Sequence, residues 1–327
     1  MTDQPSPLVS VLMATYNHGA YIRQAIQSVL DQQVPFAVEL IISDDASTDD
    51  TLAIAKEMAA RHPEIIRIVN SGQHLGLGGN FRFAYMQSRG KYIAMLDSDD
   101  YWLGRDKLVR QVAVMESDSH CTLSFHNAVI WTEGSRHSRM KLPKAIPEFR
   151  GGSYFLTRNP VTTMTAMFPR IIDPRILDAL PGLDVQDMPM WIWLADHGSV
   201  KCIPDLFAVY RIHKKGTYIQ ANNLSRLQTK CEWLRRVRDL VLPDTRRALD
   251  RELAKTLLNL SLRKMLQMKQ PAAASADWRE ACASAARGGV GVWSFAGMMV
   301  SAGLQGASFA LAKFVALLRG RSQSRGD

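Results

Sequence analysis

Four short apolar runs in the first hundred residues, separated by helical patterns or a turn-rich loop, restrict this chain to few architectures. They are Leu8–Ala14 (LVSVLMA), Val38–Ser43 (VELIIS), Ile65–Val69 and Lys91–Leu96 (KYIAML). Runs rich in branched residues and apolar on both faces suit strands of a parallel sheet covered by helices. After the first run, Ile22, Ala25, Ile26, Val29 and Leu30 recur at helical spacing. After the second, Ser47-Thr48-Asp49-Asp50 offers N-cap chemistry to a helix through Leu52, Ile54, Ala55 and Met58. A glycine-rich loop, Gly72–Gly79, leads to a third helix over Asn80–Ser88. The alternation predicts an α/β domain with a mostly parallel sheet.

Ligands of such sheets bind beyond the carboxyl ends of the strands. Two acidic groups fall there: Asp44-Asp45 after the second run, and Asp97, Asp99 and Asp100 after the fourth. Three carboxylates within four residues repel one another, and a divalent cation relieves that cost. Oxygen donors suit Mg²⁺ or Mn²⁺, shared between one or two carboxylates and a substrate phosphate. The plainer alternatives are a solvated acidic turn and a helix cap. Two acidic groups at neighbouring strand ends favour one common site.

Further on, Cys121–Trp131 reads as a strand, and residues 133–152 as a surface loop punctuated by glycine and proline. Asp184–Asp196 reads as a helix with Trp191, Leu194 and Ala195 inward, and Val200–Tyr210 as a strand. Trp191 and Trp193 ride that helix and read as core before sugar platform. His18, His74 and His126 have no partners at metal-ligand spacing and read as structural or surface residues. The glycines at 76, 78 and 79 do not form GxGxxG, so a dinucleotide site is not indicated.

VSVLMATYN (Val9–Asn17), ELIISDDASTDDT (Glu39–Thr51), GKYIAMLDSDDYW (Gly90–Trp102) and KLVRQV (Lys107–Val112) together resemble the family 2 glycosyltransferases. The resemblance spans roughly residues 7 to 220. It implies the GT-A fold and inverting transfer from a nucleotide-sugar, with UDP-sugars the expected donors. Thr15 and Tyr16 then match strand-end residues that contact the nucleotide, and Asp45 the aspartate that bonds its base. Asp97 and Asp99 match the outer residues of the DxD pattern, which contacts the ribose and holds a metal on the diphosphate. Asp99 and Asp100 both fit a metal-facing position. Asp187 matches the catalytic base, with Gln186 where the family commonly has glutamate. The alternative for Asp187 is a simple helix cap. Tyr210-Arg211-Ile212-His213 resembles the segment that closes the donor site and brings His213 toward the metal or diphosphate.

The chemistry of these residue types agrees. A carboxylate within hydrogen-bond reach activates an acceptor hydroxyl, and a divalent cation stabilises the leaving diphosphate. A nucleotidyltransferase is a second enzymatic reading, but the turn after the first strand holds Thr15-Tyr16-Asn17 where a glycine-rich phosphate loop is expected. A third is a non-catalytic nucleotide- or glycan-binding scaffold of the same fold.

Past Asn222 the composition shifts, which divides the chain into a catalytic part, 1–222, and a basic helical extension, 223–327. Leu224–Val241, Arg246–Met268 and Ala272–Arg287 carry helical patterns. Of the chain's net charge of +9, residues 225–327 carry +10 and the remainder −1. The basic part points to an anionic partner. It has no nucleic-acid recognition motif and little aromatic interleaving, so nucleic acid is not expected. The uncharged run Gly288–Ala312 is followed by four cations, Lys313, Arg319, Arg321 and Arg325. That pattern suits an in-plane helix at an anionic membrane surface. Packing on the catalytic part is one alternative, and a membrane span, which the length alone allows, is the other. Four cysteines without a CxxC pair fit a reducing compartment, and no signal peptide is read at the start. The expected setting is therefore cytoplasmic, peripheral on the inner face of a membrane. The expected acceptor is a saccharide or lipid-linked saccharide of cell-surface polysaccharide or lipopolysaccharide synthesis.

Overall fold

The computed structural model describes residues 6–142, 146–214, 216, 223–266, 271–291 and 294–295. It divides into two compact units, Met1–Ile219 and Gln220–Asp327.

The first unit is built on a mixed sheet. Its first strands are β1 (Val9–Thr15), β2 (Val38–Asp44), β3 (Ile66–Val69) and β4 (Tyr92–Met95). They lie in the order β3-β2-β1-β4 and all pair parallel. Helices α1 (Ile22–Leu30), α2 (Thr51–Arg61) and α3 (Gly76–Gln87) make the crossovers. Val9, Val11 and Met13 of β1 and Leu40 and Ile42 of β2 are fully buried against Ile22, Ala25 and Ile26 of α1. The apolar runs thus become strands because both their faces are covered.

Beyond β4 the sheet continues with β9 (Met167–Pro169), β6 (Cys121–Thr132), β10 (Ser199–Ile212) and β5 (Tyr101–Trp102). β9 runs antiparallel to both β4 and β6, and β10 runs parallel to β6. Helix α4 (Lys107–Ser117) precedes β6, and the short helices α5 (Ser153–Thr157) and α6 (Pro174–Asp178) flank β9. Helix α7 (Asp187–His197) leads into β10. The segment expected as a loop over 133–152 also carries two short strands, β7 (Ser138–Met140) on β6 and β8 (Phe149–Arg150) on β10. Both are too short to leave a period-2 signal.

Helix α3 begins at Gly76, inside the stretch expected as loop. Gly78 makes this possible: a Cβ there would stand 2.2 Å from the Leu180 carbonyl oxygen. A close backbone approach, not flexibility, is what that glycine serves.

A buried carboxylate joins the base of the parallel strands. Glu39 on β2 is 2% exposed and accepts from Ser10 Oγ (2.6 Å), Arg89 N (2.8 Å), Arg67 Nη1 (2.7 Å) and Arg89 Nε (3.0 Å). Ser10 Oγ in turn accepts from Gly90 N at 2.8 Å. Desolvation alone would raise the Glu39 pKa, but these hydrogen bonds outweigh it and hold the group below the ordinary value of 4.5.

The second unit is helical: α8 (Asn223–Val237), α9 (Pro243–Leu266) and α10 (Pro271–Arg287). Leu249, Leu253, Leu257 and Leu258 of α9 are buried, as are Ala281 and Ala285 of α10. Asp250, 2% exposed, accepts from Arg238 Nε (2.8 Å) and Arg287 Nε (3.2 Å). Among the described residues no helix is long and apolar enough to cross a membrane. Most of the uncharged run Gly288–Ala312, and the cations at 313, 319, 321 and 325, lie outside the described residues.

Candidate active site

The turns after β1 and β2 are stitched together. Asn17 (φ 57°) and Ala46 (φ 61°) both take left-handed backbone, which is costly for Ala and tolerated by Asn. Asn17 N donates to Ser47 Oγ at 3.0 Å, and Thr48 N donates to Asn17 Oδ1 at 2.8 Å. Asp49, in the stretch expected to cap α2, accepts from Thr51 N (3.0 Å) and also from Gly19 N (3.1 Å).

Asp45 is tied to the start of α3. Its two oxygens accept from Leu75 N (2.6 Å) and Gly76 N (2.9 Å), and His74 Nδ1 lies 3.0 Å from Oδ2. The Tyr16 ring, 43% exposed, packs on the His74 ring with centroids 4.6 Å apart. His74, read from the sequence as structural or surface, therefore stands beside two residues that the family resemblance links to the nucleotide. Asn80 bonds Ser43 on β2 through both ends of its amide, at 2.5 and 2.8 Å.

Thr15, at the carboxyl end of β1, is buried and accepts from Ser98 Oγ at 2.8 Å. Ser98 lies between Asp97 and Asp99 in the turn after β4, so this bond fixes the acidic turn on the sheet. The turn aims its three carboxylates differently. Asp97 shares a hydrogen bond with Thr163, and desolvation together with the charges of Asp99 and Asp187 pushes it up to about 8. Asp99 Oδ2 accepts from His213 Nε2 at 2.9 Å and lies 3.9 Å from His18 Nε2. Desolvation works against ionisation of Asp99, but the two imidazoles hold its pKa below the ordinary value. Asp100 turns toward β10, where Oδ1 accepts from Arg211 N at 2.7 Å. Burial and its two acidic neighbours raise it well above the usual carboxylate range.

Asp187 opens α7, reached from another part of the chain. Its Oδ1 accepts from its neighbour Met188 N at 2.7 Å, and burial raises its pKa. Asp97 and Asp187 lie close enough for their charges to interact, and Lys141 faces Asp187. Tyr210 on β10 feels all four carboxylates, and burial with their charge drives its pKa upward. Trp191 is fully buried and packs edge-on against Phe168, and Trp193 stacks on His197 at 4.0 Å. Both serve the core, as their place on the helix predicts.

Among the described residues, the donor atoms of His18, Asp99 and His213 lie within 4.8 Å of one another and could hold a metal ion. Asp100, expected as an alternative ligand, is not in that group, and its Oδ1 accepts from the Arg211 amide. His18, read from the sequence as a structural or surface residue, is brought into this group by the fold. The other two members of its group, Asp99 and His213, arrive from 81 and 195 positions away. Its neighbours in sequence carried no signal for this; only the stitching of the β1 turn onto the acidic turn does. One imidazole-carboxylate-imidazole set beside further carboxylates fits a divalent cation.

The sequence matches the glycosyl transferase family 2 over residues 10–174, half of its length, and the chain belongs to that family. It is 32% identical over 214 residues to an uncharacterised protein of Mycobacterium bovis, a match covering 65% of this chain and 61% of the relative. The chain thus spans about three fifths of that relative's length. It is 30% identical over 207 residues to the Escherichia coli UDP-Glc:alpha-D-GlcNAc-diphosphoundecaprenol beta-1,3-glucosyltransferase WfaP, covering 63% of this chain and 78% of that one. The fold is similar to Staphylococcus aureus TarS 1-349, solved with UDP-GlcNAc: TM-score 0.64, 16% identity, 97% of this chain and 92% of that one. It is also similar to the mannosyltransferase PcManGT of Pyrobaculum calidifontis, solved with GDP-Man and Mn²⁺: TM-score 0.54, 19% identity, 97% and 84%. The α/β architecture with C-terminal helices is therefore of the GT-A type, and one further relative, 40% identical over 119 residues, is a putative teichuronic acid biosynthesis glycosyltransferase of Bacillus subtilis.

Proposed function

We propose that this chain is an inverting glycosyltransferase that moves a sugar from a nucleotide-sugar, a UDP-sugar by preference, to a hydroxyl of a saccharide or lipid-linked saccharide. The observation that carries the reading is the convergence of Asp97, Asp99 and Asp187 from two distant segments at one end of the sheet. Residues 1–222 form the catalytic part and residues 223–327 a basic helical extension.

In this reading Tyr16 and Asp45 receive the base, with His74 completing the platform, and Thr15 fixes the turn that carries the acidic residues. Asp97 faces the ribose. Asp99 holds the metal with His213, and Asp100 holds the β10 strand rather than the ion. When bound, the Mg²⁺ or Mn²⁺ ion neutralises charge that develops on the leaving diphosphate. Asp187 accepts the proton of the acceptor hydroxyl as that oxygen attacks the anomeric carbon from the face opposite the leaving group. The bond from that carbon to the diphosphate oxygen breaks, and the configuration inverts. A retaining double displacement needs a second nucleophile, and the motifs suggest none.

The E. coli relative acts on a diphosphoundecaprenol-linked sugar, and the +10 charge of residues 225–327 suits an acceptor presented at an anionic surface. The test is Asp187→Asn. This change retains the shape and removes the base, so transfer falls by about 10²–10⁴ while donor binding, read by calorimetry, is unchanged. Equal loss of donor binding would remove Asp187 from the role of base.

A further inference from the structure

His18 is not part of the motifs that mark the family, yet its ring is built into the acidic turn. Ser98 Oγ lies 2.8 Å from Thr15 Oγ1 and 3.4 Å from the Ala14 carbonyl oxygen. The same oxygen is hydrogen-bonded to His18 Nδ1 at 2.7 Å. Its other ring nitrogen, Nε2, faces Asp99 Oδ2 at 3.9 Å. A histidine whose outer nitrogen is bonded to an oxygen, with the other aimed at a carboxylate, has the arrangement of a metal ligand. His213 approaches the same Oδ2 from the end of β10, with its side chain 1% exposed and its Nδ1 buried without a hydrogen-bond partner among the described residues. The two imidazoles stand edge to face with centroids 6.0 Å apart.

The dimensions agree. Ligands bonded to one cation at about 2.0–2.2 Å are at most about 4.4 Å apart. The three donor atoms lie within 4.8 Å, so a shift of a few tenths of an ångström brings them into one sphere.

Resting on the metal-dependent reading above, we infer that His18 is a third protein ligand. The site is then a two-histidine, one-carboxylate set that selects Mn²⁺ over Mg²⁺. Imidazole nitrogen suits first-row transition ions, whereas Mg²⁺ prefers oxygen and keeps its waters. The preference is therefore shared by the turn after β1 and the end of β10, outside the acidic motif.

The test uses the full chain and Mn²⁺ alone. Pulsed electron paramagnetic resonance counts the nitrogens bound to Mn²⁺, and a titration gives its affinity with and without competing Mg²⁺. The wild type is expected to show two coupled nitrogens and His18→Ala one. Mn²⁺ affinity in the variant falls about tenfold or more, the scale on which metal sites respond even to outer-sphere changes. Mg²⁺ affinity falls less. His18→Asn, which keeps a polar side chain in the turn, replaces the alanine variant if that does not fold by circular dichroism. Two nitrogens and unchanged Mn²⁺ affinity in the His18 variant, with Asp99→Asn abolishing binding, would overturn the role of His18 and leave the metal site standing. Mn²⁺ binding unaffected by Asp99→Asn, or absent from the wild type, would overturn both readings.

Discussion

At the residue scale, the candidate site distributes its carboxylates by environment rather than by chain position. Asp97, Asp99 and Asp100 lie within four residues, yet one meets Thr163, one meets two imidazoles and one meets the Arg211 amide. The sequence marks all three as candidates but does not separate them, because separation depends on which strand each faces. That information is tertiary. The same holds for His18, whose partners arrive from the turn after β4 and the end of β10. A prediction follows for the pair that looked interchangeable. Asp99→Asn abolishes metal-dependent nucleotide binding, whereas Asp100→Asn retains it, because an asparagine carbonyl still accepts from Arg211 N. Calorimetry with UDP and Mn²⁺ separates them; equal loss in both would return Asp100 to the metal.

At the scale of elements, the parallel strands were legible because burial on both faces writes itself as continuous apolar sequence. β7 and β8 were not, since segments of two or three residues are decided by the neighbour they pair with. The start of α3 was misplaced because a glycine run reads as loop, while here Asp45 accepts its first amides and Gly78 meets the Leu180 carbonyl. Gly78→Ala is therefore expected to cost about 1–3 kcal/mol or more, unlike an ordinary glycine-to-alanine change within a helix. Thermal unfolding measures it, and an unchanged midpoint would refute the close-approach account.

Glu39 gives the second prediction at this scale. It links β2 to Ser10 on β1, to Arg67 on β3 and to the Arg89 turn before β4. Glu39→Gln is expected to destabilise the fold by about 2–3 kcal/mol, since it unpairs a buried, fully bonded carboxylate. Its pKa in the folded protein lies below the ordinary value of 4.5. Its contribution is thus fully present above that value and is lost as pH falls through the lower, folded one. The wild type and the variant should converge in stability at acid pH. A constant difference across that range would contradict the linkage.

At the scale of the whole molecule, the chain joins a nearly neutral N-terminal part to a strongly basic helical one. The helices of the second part were read closely from their patterns, since long periodic segments leave the clearest signal. The charge asymmetry predicts binding to vesicles containing anionic phospholipid that weakens steeply between low and physiological salt. Flotation at two ionic strengths measures it, and retention on neutral vesicles that salt does not weaken would argue for purely apolar attachment.

The central claim is metal-dependent sugar transfer. Its most direct test is a panel of UDP-, GDP- and dTDP-sugars incubated with the full chain and Mn²⁺, together with diphosphoundecaprenol-linked saccharides as acceptors. Product and released nucleoside diphosphate are followed for the wild type, Asp99→Asn and Asp187→Asn. The account predicts turnover of one donor, with an inverted linkage in the product, lost in both variants. Turnover that survives Asp99→Asn and Asp187→Asn alike, or a product of retained configuration, would contradict it.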